Sequence, residues 1–162
     1  EHPIELCKYS GYEEYEEIDK IVHKLYMENP DNNILILART NECLNKLAKS
    51  EFFMKGVNDV LICKSLPEAK IEALTMHRSK GLTSDQVIVF GLREKLFPSK
   101  GRPSHWIFEY FKLDSITEQM PFAEERRLFY VALTRTRNKV YLVVPNNRIN
   151  QSEFINEIEE SL

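Results

Sequence analysis

At 162 residues, with 43% hydrophobic and 29% charged side chains, the chain has the balance of one ordinary globular domain able to bury a core. Its formal net charge of −3 argues against a general polyanion binder. No apolar run approaches the ~20 residues that a membrane-spanning helix needs, so no membrane partner is expected.

The three cysteines, Cys7, Cys43 and Cys63, are widely spaced, odd in number and outside any metal-ligand pattern. They suggest a reducing, cytoplasmic setting, with all three as small core hydrophobes. The first residue is not Met, which suggests a fragment of something longer. Charge is unevenly placed: residues 1–31 hold nine acids and three bases, whereas residues 70–102 hold seven bases and three acids. An anionic ligand therefore belongs to the middle of the chain, unless that basicity is only a solvated face.

Short apolar runs alternate with helical patterns. Residues 3–8 read as a strand, followed by Ser10 and Glu13 in capping-box spacing. The helix they open places Tyr15, Ile18, Val22 and Leu25 on one face, and Asn29-Pro30 ends it. Residues 33–38 are continuously apolar after Asn33, the mark of a parallel strand covered on both sides. Thr40 can cap the next helix, expected to run to about Met54 and stop at Gly56. Residues 59–63, 71–76 and 86–91 are three more strands. Residues 92–121 are looser, with one short aromatic helix around 105–111 carrying Trp106, Phe108, Tyr110 and Phe111, as core or as a base-stacking surface. A helix rich in arginine follows, then a strand over 139–144 and a last amphipathic helix from Ser152. Strands separated by helices imply crossover units and a three-layer α/β sandwich in one domain over 1–162, its ligands at the carboxyl ends of the strands.

Three places carry charge that such a fold could use. In the arginine-rich helix Leu128, Val131, Ala132 and Arg135 fall at i, i+3, i+4 and i+7, so Arg135 continues the apolar face. A guanidinium there either meets an anion, for which its planar fork is suited, or snorkels to solvent near the helix C-terminus. Arg39-Thr40-Asn41 puts a second guanidinium at a strand's carboxyl end beside a helix N-terminus, as a phosphate ligand or a surface ion-pair partner. Between two buried strands, His77-Arg78-Ser79-Lys80-Gly81-Leu82 packs bases, hydroxyl and glycine into a turn able to approach a phosphate. No Gly-x-x-x-x-Gly-Lys-Ser/Thr nest, no carboxylate pair after an apolar strand, no nucleophile elbow and no His-x-x-x-His or Cys-x-x-Cys pair accompanies them. The chain supplies cations but no metal site and no group to activate water.

These strings match a family. Thr75-Met76-His77-Arg78-Ser79-Lys80-Gly81-Leu82 resembles motif V of superfamily 1 helicases of the UvrD/Rep type. The run from Glu124 through Arg135, Glu-Glu-Arg-Arg-Leu-Phe-Tyr-Val-Ala-Leu-Thr-Arg, resembles their motif VI, and Ile36-Leu37-Ala38-Arg39-Thr40-Asn41 their motif IV. The resemblance runs in order across residues 34–144, and only about 30 residues separate motifs IV and V, as in insertion-free members.

It implies a RecA-like motor domain, mostly parallel in its sheet, that is the second of two in an ATP-dependent DNA helicase or translocase. The P-loop domain of the same parent chain would hold most of the ATP and Mg2+. By the same resemblance Arg135 and Arg39 would reach the γ-phosphate as catalytic cations. Lys80, Gly81 and Thr83 would face the nucleotide, and Thr75, His77 and Arg78 single-stranded DNA. Two positions depart from the family pattern. Ala38 stands where an aromatic residue stacks on adenine, and Thr83 where a glutamate meets the ribose. Phosphate-directed charge is kept and base contacts are not, a combination that also suits use of several nucleotides or a non-catalytic DNA- or partner-binding module.

Overall fold

The computed structural model describes residues 3–99 and 122–160, so the aromatic segment expected at 105–111 lies outside the described residues. Strands β1 (Ile4–Tyr9), β2 (Asn33–Ala38), β5 (Lys70–Thr75), β6 (Ser84–Val89) and β7 (Thr136–Pro145) form one sheet in the order β1-β7-β6-β2-β5. Every pairing in it is parallel. Helices α1 (Glu14–Glu28) and α2 (Asn41–Ala48) cover one face, and α3 (Ala123–Leu133) and α4 (Glu153–Glu159) the other. This is the expected three-layer α/β sandwich.

The period of two along the strands builds both faces. On β2, Ile34, Ile36 and Ala38 pack with Ile18, Val22 and Leu25 of α1, while Leu35 and Leu37 pack with Leu128, Phe129 and Ala132 of α3. On β7, Tyr141 and Val143 share the first core, and Val140, Leu142 and Val144 the second. Burying each of the Val, Leu, Ile and Phe side chains here is worth about 1.5–3 kcal/mol, and none of β2 after Asn33 faces solvent. Among the described residues no helix is long and apolar enough to cross a membrane.

Local chemistry explains most element ends and two departures. Thr40 caps α2 by accepting from the Cys43 N–H, and Ser152 caps α4 by accepting from Phe154. The capping box expected of Ser10 and Glu13 does not form: Glu13 is the N-cap without a side-chain bond, and its N–H goes to the Ser10 carbonyl across Gly11, at φ +55°. Helix α2 stops at Ala48 instead of reaching Met54, because residues 53–55 pair with another strand. Strand β3 (Phe53–Lys55) forms an antiparallel hairpin with β4 (Leu61–Cys63), so the strand read at 59–63 stands outside the main sheet. Phe53 is fully buried there, and cross-strand pairing overrides a helical pattern of no great strength.

At the amino rim of the sheet a single carboxylate joins three strands. Asp85 accepts from the Asn33 N–H and its side-chain amide, both at 2.9 Å, and from Arg137 Nη1 at 3.2 Å. Its carboxyl is held below the ordinary value, first by the Asn33 backbone, then by the Asn33 amide and the Arg137 guanidinium. A carboxylate lowered in the folded state stabilises above its unfolded pKa, ~3.9, and loses that contribution as pH falls through the folded value. In urea unfolding across acid pH, Asp85→Asn should therefore be less stable than the parent at neutral pH. The gap should close below pH ~4. A gap that stays constant on acidification means that this carboxylate does not clamp the strands.

Candidate functional site

The expected site residues fall at three places on the sandwich. Arg39 leaves the carboxyl end of β2 and turns toward α3, where Glu125 receives it. Arg39 Nε lies 3.0 and 2.9 Å from the two carboxylate oxygens, and Nη2 lies 2.7 Å from Oε1. The Ser99 N–H adds a bond at 3.1 Å to Oε2. Glu125 is only 7% exposed, so its charge is matched by a fork that fits it in two places. Hydrogen bonding to this carboxylate raises the Arg39 pKa further, and the guanidinium stays charged at any working pH.

The buried line of α3 runs Glu125, Leu128, Phe129, Ala132. Val131 is only half-buried, and Phe129 takes the place read for it. Arg135 does not continue that line: the helix ends at Leu133, where the Thr134 N–H bonds to the Tyr130 and Val131 carbonyls. Arg135 lies in the turn before β7. Its Nε donates to the Val131 carbonyl at 2.9 Å, Nη1 to the Leu82 carbonyl at 3.2 Å and Nη2 to Thr134 Oγ1 at 3.1 Å. Each of these three partners is a neutral oxygen.

Because β7 follows α3 directly and parallels β2, the helix runs antiparallel to the strands. Its first turn meets the carboxyl rim at Arg39, and its end meets the amino rim, where the Ser84 N–H bonds to the Arg135 carbonyl. The eight residue steps of helix from Glu125 to its end at Leu133 span ~12 Å, and Arg135 lies two residues beyond. The two guanidinium groups are therefore held at the two ends of α3 and do not share a partner.

The loop between β5 and β6 links these places. Thr75 is 8% exposed, and its hydroxyl accepts from the Arg78 N–H at 3.4 Å. Ser79 is fully buried, donating to the Met76 carbonyl at 2.7 Å. These bonds turn His77, Arg78 and Lys80 outward, all exposed. Arg78 makes a two-pronged contact with Asp59, at 2.8 and 2.9 Å. Gly81 has φ +83° and open space around it, so its backbone shape, not crowding, demands glycine. Thr83 is exposed, and its hydroxyl accepts from Arg137 Nη2 at 3.4 Å. A cleft of about 520 Å³ runs past Leu82, Thr83 and Arg137. Among the described residues, Arg135, Lys80 and His77 take part in no ion pair.

The comparisons with known proteins fit this architecture. Residues 54–147, which hold the basic loop and α3, match the model of the UvrD-like helicase C-terminal domain. The chain belongs to that family. It is 36% identical over 142 residues to DNA helicase IV of Escherichia coli K12, covering 86% of this chain and 18% of that protein. It is 26% identical over 171 residues to the ATP-dependent DNA helicase PcrA of Staphylococcus aureus, covering 98% of this chain and 22% of PcrA. The chain thus spans about a fifth of the length of these curated relatives. The solved C-terminal domain of a possible DNA helicase from Lactobacillus plantarum WCFS1 shares the fold. Its TM-score is 0.55 at 14% identity, covering 86% of this chain and 71% of that one.

Within this UvrD-like domain, Glu125 is the residue that reading the sequence did not single out. Its signal was present, since it stands three residues before Leu128 on the same stripe. A double-mutant cycle of Glu125→Gln and Arg39→Met, read by chemical unfolding, should give a coupling of ~1–3 kcal/mol. A coupling near zero means that the contact does not hold Arg39 in place.

Proposed function

We propose that this chain is the C-terminal motor domain of an ATP-dependent DNA helicase or translocase, working against a P-loop domain of its parent chain. That other domain would hold ATP and Mg2+. This one contributes cations: Arg135 toward the γ-phosphate, and Lys80, Gly81 and Thr83 along the nucleotide. Thr75, His77 and Arg78 form the side turned to single-stranded DNA, with Thr75 acting by shaping the loop beneath His77 and Arg78. Three free, buried thiols suit a cytoplasmic protein.

The observation that carries the reading is the state of Arg135. Its guanidinium is oriented by two carbonyls and a hydroxyl, yet its charge is compensated by no acid among the described residues. A positioned, uncompensated fork is what stabilises charge developing on a transferred phosphoryl group. Arg39, expected at the same phosphate, stands at the other end of α3 with Glu125 already satisfying it, so the reading rests on Arg135.

The second reading, a module that binds DNA or a partner without catalysis, draws on that neutralised Arg39 and on Ala38. The latter is fully buried under α1 and α2, so no base can stack at this position. Thr83 likewise offers a neutral hydroxyl in place of a carboxylate.

ATP turnover in the longer parent protein separates the two readings. Arg135→Ala should lower DNA-stimulated hydrolysis by ~10³–10⁵-fold, the scale of an arginine finger, while keeping the parental circular dichroism. The 162-residue chain by itself should hydrolyse no ATP. Near-parental turnover in Arg135→Ala rejects the catalytic assignment.

A further inference from the structure

Asp19 and His23 lie one turn apart on α1 and meet the end of β4, where Cys63 and Ser65 come up against them. Cys63 Sγ is 3.2 Å from Asp19 Oδ1 and 3.3 Å from Ser65 Oγ. His23 Nε2 is 2.8 Å from Ser65 Oγ and 3.8 Å from Asp19 Oδ2. One donor atom from each of Asp19, His23 and Cys63 falls within 4.8 Å of the others. Tetrahedral zinc, with bonds of ~2.0–2.3 Å to oxygen, nitrogen and sulfur, keeps its donors ~3.3–3.7 Å apart. Small side-chain rotations bring these three atoms to that spacing.

We propose that Asp19, His23 and Cys63 form a binding site for Zn2+, or for a divalent ion of the same borderline softness, clipping α1 to the β3–β4 hairpin. Sulfur and imidazole donors select such an ion over Mg2+ or Ca2+. A thiolate, a carboxylate and a neutral imidazole together cancel its charge. The Cys63 proton, now donated to Asp19, passes to solvent as sulfur binds the metal, and no other bond changes. Cys63 is fully buried and forms the floor, whereas the His23 side chain is 41% exposed and Ser65 lies at the surface, leaving a way in. The Ser65 hydroxyl stands where a fourth ligand, a water, would be held.

The clip has a mechanical consequence. The hairpin is outside the main sheet, and Asp59, two residues before β4, is the group that grips Arg78 in the basic loop. Tying Cys63 to α1 steadies that grip from the far end of the strand.

The test is cobalt titration of the 162-residue chain under reducing conditions. One equivalent should bind, with a thiolate-to-cobalt charge-transfer band and the visible bands of a four-coordinate ion, both displaced by Zn2+. Zinc, and not Mg2+, should raise the thermal midpoint. Cys63→Ser should lose the charge-transfer band while keeping the parental circular dichroism, and His23→Ala, at a half-exposed position, should bind cobalt at least ~10-fold more weakly. Absence of the band in the parent chain, or its persistence in Cys63→Ser, overturns the proposal.

Discussion

The burial of β2 on both faces, between two strands and under two layers of helix, governs where every functional charge in this domain can stand. Five of its six residues are buried, so a guanidinium can enter only at a rim. Arg39 does so at the first position beyond the strand, and the cost of its partial burial is met by Glu125. The same arrangement forces the connecting segments to run against the strands. That is why α3 carries Glu125 to one rim and delivers Arg135 to the other.

The two guanidinium groups are thus held in different electrical states. Arg39 sits in a closed contact with a nearly buried carboxylate, whereas Arg135 is oriented by neutral oxygens and keeps its charge in reserve. An arriving anion gains more at Arg135, because among the described residues no carboxylate has to be displaced from it. The basic loop is organised in a related way: Thr75 and Ser79 spend their hydroxyls on the loop's own backbone, and that spending is what turns His77 and Lys80 to solvent. Arg78 is the exception, tied to the hairpin through Asp59.

The departures from the family pattern acquire a physical meaning in this setting. Ala38 has no exposed surface and belongs to the core under α1 and α2, so nothing replaces an aromatic side chain for stacking. Thr83 engages Arg137 and borders a cleft, but brings no negative charge to a ribose.

Local pattern alone determined a great deal. Continuous apolar runs specified the buried parallel strands, the caps at Thr40 and Ser152 announced helix starts, and the strings around His77 and Arg135 carried the family resemblance. Such features are legible because they depend on neighbours within one or two turns of chain. What depended on distant partners was not. The end of α2 was set by the pairing of residues 53–55 with β4, and the stripe of α3 was rotated by Phe129 packing against Phe97 and Phe154. Glu125 became the partner of Arg39 across 86 positions, and Cys63 met Asp19 across 44. Only the folded sheet, by fixing which rim each segment reaches, could decide that one arginine would be neutralised and that the other would meet no acid among the described residues.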